Sequence, residues 1–224
     1  MRADLAHIDT WVCDLDNTLY PASCNLFELI DARMGEYICA LLRVDAAEAR
    51  RIQKAHFVNH GTTLSGLMAE NGIDPREFLD FVHDIAMDRL TPDPALKAAL
   101  AALPGRKLVF TNGDAGYARR VLTALDLADS FEGVFDIHGC AYRPKPEASA
   151  YAAFCAAHNV EPTRAVFIED MARNLKPAKA IGMTTVWVDN GSDQAAGEAC
   201  ASFIDYRTHC ASAWLAEAAE ELRR

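Results

Sequence analysis

Several absences narrow the chain before any motif is read. It has no run of about 18 apolar residues, so no segment is expected to cross a membrane as a helix. Its seven cysteines include no CxxC pair, and Cys13, Cys140 and Cys155 lie in apolar surroundings. That usage suits reduced thiols in the cytoplasm and argues against a disulfide framework. Basic residues are outnumbered, with 22 Lys and Arg against 32 Asp and Glu and a formal net charge of -10. The basic stripe of a nucleic-acid binder is therefore missing, although the local field of a site can still favour a small anion. The opening "MRADLAHIDT" has early acids and no apolar core, so no signal peptide is expected there. Internal repeats and low-complexity segments are absent too.

What is present is an ordinary globular composition over 224 residues, 51% hydrophobic and 24% charged. That is enough for one full domain, or one domain with a large insertion. Five short runs read as strands: "TWVCDL" (10–15), "RKLVFT" (106–111), "GVFDIH" (133–138), "RAVFIE" (164–169) and "TTVWVD" (184–189). They are rich in Val, Ile, Phe and Trp and bounded by Gly, Pro or Asp. Helical patterns separate them: 93–105, 113–128 with an Asp cap, 145–160, and 174–183 with Pro177 placed in its first turn. Alternation of this kind predicts an α/β fold, a Rossmann-like parallel sheet with helices on both faces. Residues 21–90 interrupt it with helical patterns and no strand. The expected organisation is an α/β core from 1–20 and 91–224, carrying an all-helical segment from 21–90. Trp187 and Trp214 read as packing residues.

Ligands of open parallel sheets bind at the carboxyl ends of the strands. Those ends carry "DLDNT" with Asp14 and Asp16, then "TNGD" with Thr111, Asn112 and Asp114, then "YRPKPE" with Lys145, then Glu169 and Asp170. Burying unpartnered carboxylates is costly, and carboxylates packed together repel unless a cation or proton sits among them. Their hard oxygens suit Mg²⁺, while a lysine, a hydroxyl and loop N–H groups suit a phosphate. Each piece has a bland reading as well: a strand-end turn for Asp14 and Asp16, a helix cap for Asp114, a surface loop for Lys145. Their ordered combination is what points to chemistry.

"DLDNT", "TNGD", a lone "KP" and "ED", in that order, resemble the haloacid dehalogenase superfamily, with residues 21–90 resembling its C1-type cap. "DLDNTLYP", "FVNHGTTLSGL" and "IEDMARNLKPAKAIGM" resemble more narrowly its pyrimidine 5′-nucleotidase-like phosphatases. The resemblance implies an Mg²⁺-dependent phosphomonoesterase acting through an aspartyl-phosphate. Asp14 would be nucleophile and Asp16 general acid and base; Thr111 and Asn112 would bind phosphate. Lys145 would neutralise charge and orient Asp14. Mg²⁺ would be held by Asp14, the Asp16 carbonyl and Asp170, with Glu169 reaching it through water. The Glu-Asp pair departs from the Asp-Asp of many relatives, which leaves direct coordination by Glu169 open. Arg173 and Asn174 are support positions. The implied partner is a small phosphate ester, not a nucleic-acid polymer or a membrane, and the oligomeric state is open.

The cap is expected to close the site and select the leaving group. Tyr20, Phe57, Asn59, His60, Thr62 and Thr63 are the candidates for substrate contact, with packing or surface exposure as the competing reading. UMP or CMP leads as substrate; phosphoglycolate, a sugar phosphate and pyridoxal phosphate stay open. A phosphomutase, a haloacid dehalogenase and a non-catalytic binding module are the remaining classes. Asp16 argues against the dehalogenase, whose reaction has no leaving alkoxide to protonate.

Overall fold

The computed structural model describes residues 4–191 and 202–223. Six parallel strands form one sheet in the order β3-β2-β1-β4-β5-β6. They are β1 (Thr10–Cys13), β2 (Arg106–Phe110), β3 (Gly133–Phe135), β4 (Ala165–Glu169), β5 (Thr184–Val188) and β6 (Tyr206–Thr208). From β1 the chain builds outward through β2 and β3, then crosses back to lay β4, β5 and β6 on the other side. The switch point between β1 and β4 is where such sheets open a crevice at their carboxyl ends. Cys13 pairs in register with Val109 and Ile168, so β2 and β4 end one residue past β1, at Phe110 and Glu169.

Four helices stand between β1 and the rest of the core: α1 (Leu26–Leu42), α2 (Ala46–His60), α3 (Thr63–Asn71) and α4 (Pro75–His83). Helices α5 (Pro94–Ala102), α6 (Ala115–Ala124), α7 (Ala148–His158), α8 (Ala172–Ala180) and α9 (Ala211–Glu221) complete the described α-helices. Short polar side chains start several of them. Asp45, Thr62, Asp74, Asp93 and Asp114 each accept a hydrogen bond from a first-turn amide.

Alternation along β1 feeds two cores. Trp11 and Cys13 face a cluster with Val109, Ile168, Leu100 of α5 and Leu215 of α9. Val12 faces another with Phe110, Phe167, Phe154 of α7 and Leu175 of α8. Trp11 is fully buried and its Nε1 donates to Pro104 O over 2.9 Å. Trp187 and Trp214 are buried as read from the sequence.

The structure differs from the sequence reading in places. β1 and β3 stop two and three residues early, because the chain leaves the sheet after Cys13 and Phe135 and turns at 16–18 and 137–140. Strand β6 has only the mixed triplet "YRT" to mark it, and helix α9 was not anticipated either. Helix α8 begins at Ala172, so Pro177 lies inside it instead of in its first turn. Among the described residues six cysteines are free, and Cys200 lies outside those residues. No described helix is long and apolar enough to cross a membrane.

Candidate active site

The end of β1 turns sharply. Asp14 N still donates to Ile168 O at 2.9 Å, continuing the ladder, and Asn17 then adopts a left-handed φ of 58°. Asparagine tolerates that conformation better than most residues. The turn sends the two carboxylates into different surroundings.

Asp14 is buried. Its Oδ1 accepts from Lys145 Nζ at 2.6 Å, and its Oδ2 accepts from the Thr18 hydroxyl at 3.3 Å. Lys145 Nζ also donates to Glu169 Oε2 at 2.8 Å and to Phe110 O at 2.9 Å. Asp170 sits next to Glu169, with Asn190 Nδ2 3.2 Å from its Oδ2 and Trp187 Nε1 donating to its carbonyl at 2.8 Å. Ligand atoms of Asp14, Glu169 and Asp170 all lie within 4.8 Å of one another.

Burial, then repulsion from Glu169, pushes the Asp14 carboxyl up to about 7 against the pull of Lys145. Burial, then the charges of Glu169 and Asp14, raise Asp170 well above the carboxylate range. Burial alone would lower Lys145, but Asp14 and Glu169 hold it above the ordinary lysine value. When all three carboxylates are ionised, they and the one ammonium leave two negative charges in a buried space, an excess that one divalent cation would neutralise. The all-oxygen donor set fits a hard cation such as Mg²⁺.

Asp16 is held differently. Its Oδ1 accepts from the Tyr20 hydroxyl at 2.5 Å and from the Tyr117 hydroxyl at 2.6 Å. Tyr117 is stacked on His83 at the end of α4, with ring centroids 4.4 Å apart. His83 Nδ1 pairs in turn with Asp114, the N-cap of α6. The helical insertion therefore reaches Asp16 through one phenol.

Thr111 Oγ1 accepts from Gly113 N at 3.0 Å. Asn112 clasps the lysine loop reciprocally, with Nδ2 donating to Lys145 O at 3.1 Å and Lys145 N donating to Asn112 Oδ1 at 2.8 Å. Asp14, Asp16, Thr111, Asn112, Lys145, Glu169 and Asp170 all border one cavity of about 540 Å³. Its far walls are apolar side chains of the insertion, among them Phe27, Ile30, Met34, Phe78 and Val82.

Of the proposed substrate contacts, Phe57, Thr62 and Thr63 line this cavity, and Tyr20, Asn59 and His60 do not. Helical periodicity explains the difference. Arg50, Gln53, Lys54 and Phe57 form the stripe of α2 that faces the cavity, with Gly61 just beyond the helix. His60 turns instead to Glu70 on α3, and Tyr20 is consumed by Asp16. Thr62 spends its hydroxyl capping α3. From the core, Arg173 lies over the Phe57 ring at 4.4 Å and donates to Gly61 O at 3.2 Å. Sequence reasoning missed Tyr117, His83 and Asn190. Asn190 follows β5 at a carboxyl end, where the strand-end rule could have found it; nothing local marks Tyr117.

The family model described as haloacid dehalogenase-like hydrolase matches residues 8–182, and the chain belongs to that family. Among curated proteins it is similar to Phosphate metabolism protein 8 of Saccharomyces cerevisiae, 29% identical over 188 residues, covering 76% of this chain and 58% of that one. It is also similar to Enolase-phosphatase E1 of Shewanella frigidimarina, 29% identical over 137 residues, covering 59% of this chain and 55% of the relative. The chain thus spans between half and two thirds of these relatives' length. Among solved structures, a haloacid dehalogenase-superfamily phosphatase from Thermococcus onnurineus shares the fold, with a TM-score of 0.63, 19% identity, and coverage of 96% of this chain and 98% of that one.

Proposed function

We propose that this hydrolase is an Mg²⁺-dependent phosphomonoesterase working through an aspartyl-phosphate, with α1–α4 as the cap over its site. One observation carries the reading: two carboxylates two residues apart have opposite surroundings, Asp14 against the Lys145 ammonium and Asp16 against two phenols. A pair of acids in unlike environments is what separate nucleophile and acid–base roles require.

The Asp14 carboxylate attacks phosphorus, and the bond from phosphorus to the ester oxygen breaks. Asp16 gives its proton to that leaving oxygen. With Oδ1 occupied by the phenols, Oδ2 is the oxygen left to carry the proton. Water then attacks phosphorus and yields its proton to Asp16, the bond to Asp14 breaks, and inorganic phosphate leaves. Lys145 keeps the Asp14 carboxylate aimed and offsets its charge. Thr111 and Asn112 border the space for the phosphoryl oxygens. Mg²⁺, held by Asp14 and Asp170 with the Asp16 carbonyl and Glu169 beside them, would supply positive charge to those oxygens.

A pyrimidine nucleoside monophosphate is the substrate this reading favours. The apolar walls and the Phe57 ring offer a planar leaving group more surface than a two-carbon acid could use. Pyridoxal phosphate is the second reading, on the same walls. The test is free phosphate release from UMP, CMP, pyridoxal phosphate, sugar phosphates and phosphoglycolate, with Mg²⁺ or EDTA, for the wild type and Asp14→Asn. Release that needs Mg²⁺ and Asp14 supports the reading. No release from any ester, or release that survives Asp14→Asn, overturns it.

A further inference from the structure

A second group of metal-type ligands lies away from the cavity, in the insertion. His56 and His60 are four residues apart on α2 and so share one face of it. Their ring centroids are 5.7 Å apart. Glu70 comes from α3 across the turn at Gly61 and Thr62. Its Oε1 lies 2.9 Å from His60 Nε2 and 3.6 Å from His56 Nδ1. One ligand atom from each residue falls within 4.8 Å of the other two. Ligand atoms around a tetrahedral Zn²⁺ with bonds of about 2.0–2.1 Å stand roughly 3.4 Å apart, and the two separations to Glu70, 2.9 and 3.6 Å, bracket that spacing.

The His56 ring is built into place. It is 3% exposed, and it lies on Gly66, where a Cβ would come within 2.3 Å of its Cγ and Nδ1. No other side chain at position 66 leaves room for the ring. Yet this buried ring is poorly used as a polar group. Its Nε2 is buried with no hydrogen-bond partner among the described residues, and its Nδ1, the nitrogen facing Glu70, stands 3.6 Å from that carboxylate, longer than a hydrogen bond. An ion between His56 Nδ1, His60 and Glu70 would give Nδ1 the partner it lacks.

The geometry points to a transition-metal site of the Zn²⁺ class, formed by His56, His60 and Glu70 and separate from the carboxylate centre. Two imidazoles and one carboxylate suit Zn²⁺ or Co²⁺ and not Mg²⁺. Glu70 and His60 are partly exposed, with side chains 55% and 29% accessible, which leaves the ion open to water on one side. A bound ion ties α2 to α3 across the turn that carries Thr62 and Thr63. None of this depends on the reaction catalysed at Asp14.

The test is titration of the full chain with ZnCl₂ by calorimetry, in saturating Mg²⁺ so that the oxygen-rich centre is filled. A parallel titration with CoCl₂ is followed by visible absorption. The expected result is one Zn²⁺ bound by the wild type, with affinity at least tenfold weaker in both His60→Ala and Glu70→Gln. The intense absorption of low-coordinate Co²⁺ disappears in the same variants. Both substitutions are at partly exposed side chains, and circular dichroism checks that the variants fold. Zn²⁺ bound equally well by wild type and variants overturns the assignment, as does no binding by the wild type.

Discussion

Tyr117 donates its hydroxyl to Asp16 Oδ1 at 2.6 Å across 101 positions of sequence. A hydrogen bond to a charged group is worth about 1.5–3 kcal/mol. If Asp16 protonates the leaving oxygen, Tyr117→Phe lowers kcat about tenfold or more on alkyl phosphates and leaves KM little changed. Turnover of p-nitrophenyl phosphate, whose leaving group needs little protonation, falls much less. Steady-state kinetics on the two substrate types reads the contrast, and an equal loss on both assigns the phenol another role.

Removing Lys145 strands two buried carboxylates. Lys145→Met is expected to destabilise the metal-free protein by about 3–5 kcal/mol at neutral pH, the usual cost of breaking one side of a buried ion pair. Urea unfolding measures it, and Mg²⁺ recovers part of the loss if the cation lies among the same carboxylates. Activity should not recover.

The raised carboxyls make stability depend on pH in a set direction. Burial and the charge of Glu169 push the Asp14 carboxyl up to about 7 in the fold, against an ordinary aspartate value of 3.8. Between those values the native state binds more protons than the unfolded chain, so metal-free stability falls as pH rises from about 4 to 7. Asp170, raised for the same reasons, adds to the slope. Melting temperatures across that window should decline without Mg²⁺, and the gain from added Mg²⁺ should grow with pH. A flat profile without the cation would falsify the strained-carboxyl picture.

Asp114 caps α6 and also pairs with His83 of α4. Asp114→Ala should cost about 1–2 kcal/mol from the cap alone. Asp114→Asn keeps the capping oxygen and weakens only the histidine contact, so denaturant midpoints should order wild type, then Asn, then Ala.

Much of this was legible in the sequence, for a physical reason. A parallel strand buried on both faces reads as a short apolar run, and the residue where it stops is visible because it is polar. Asp14, Thr111, Lys145, Glu169 and Asp170 stand out by that contrast, and the structure brings them to one cavity. Asp45, Thr62, Asp74, Asp93 and Asp114 announce their helices by local chemistry. Long-range contacts carry no such mark. Tyr20 directly follows the first motif and reads as a substrate contact, but its hydroxyl goes to Asp16 and not to the cavity. Tyr117 reads as one more apolar position of α6 until the fold sets it beside Asp16. Strand β6 is too short and too mixed to rise above its surroundings.

Helix α2 presents Arg50, Gln53, Lys54 and Phe57 to the cavity and His56 and His60 to α3. Both assignments hang on one angular register. A single residue inserted near position 52 would rotate everything after it by about 100°. Phe57 would leave the cavity and His56 would leave Gly66 together. Substitutions along either stripe can be accepted one at a time, but insertions and deletions between Arg50 and His60 cannot. Length variation among descendants of this chain should therefore collect in the loops flanking α2 and spare the helix itself.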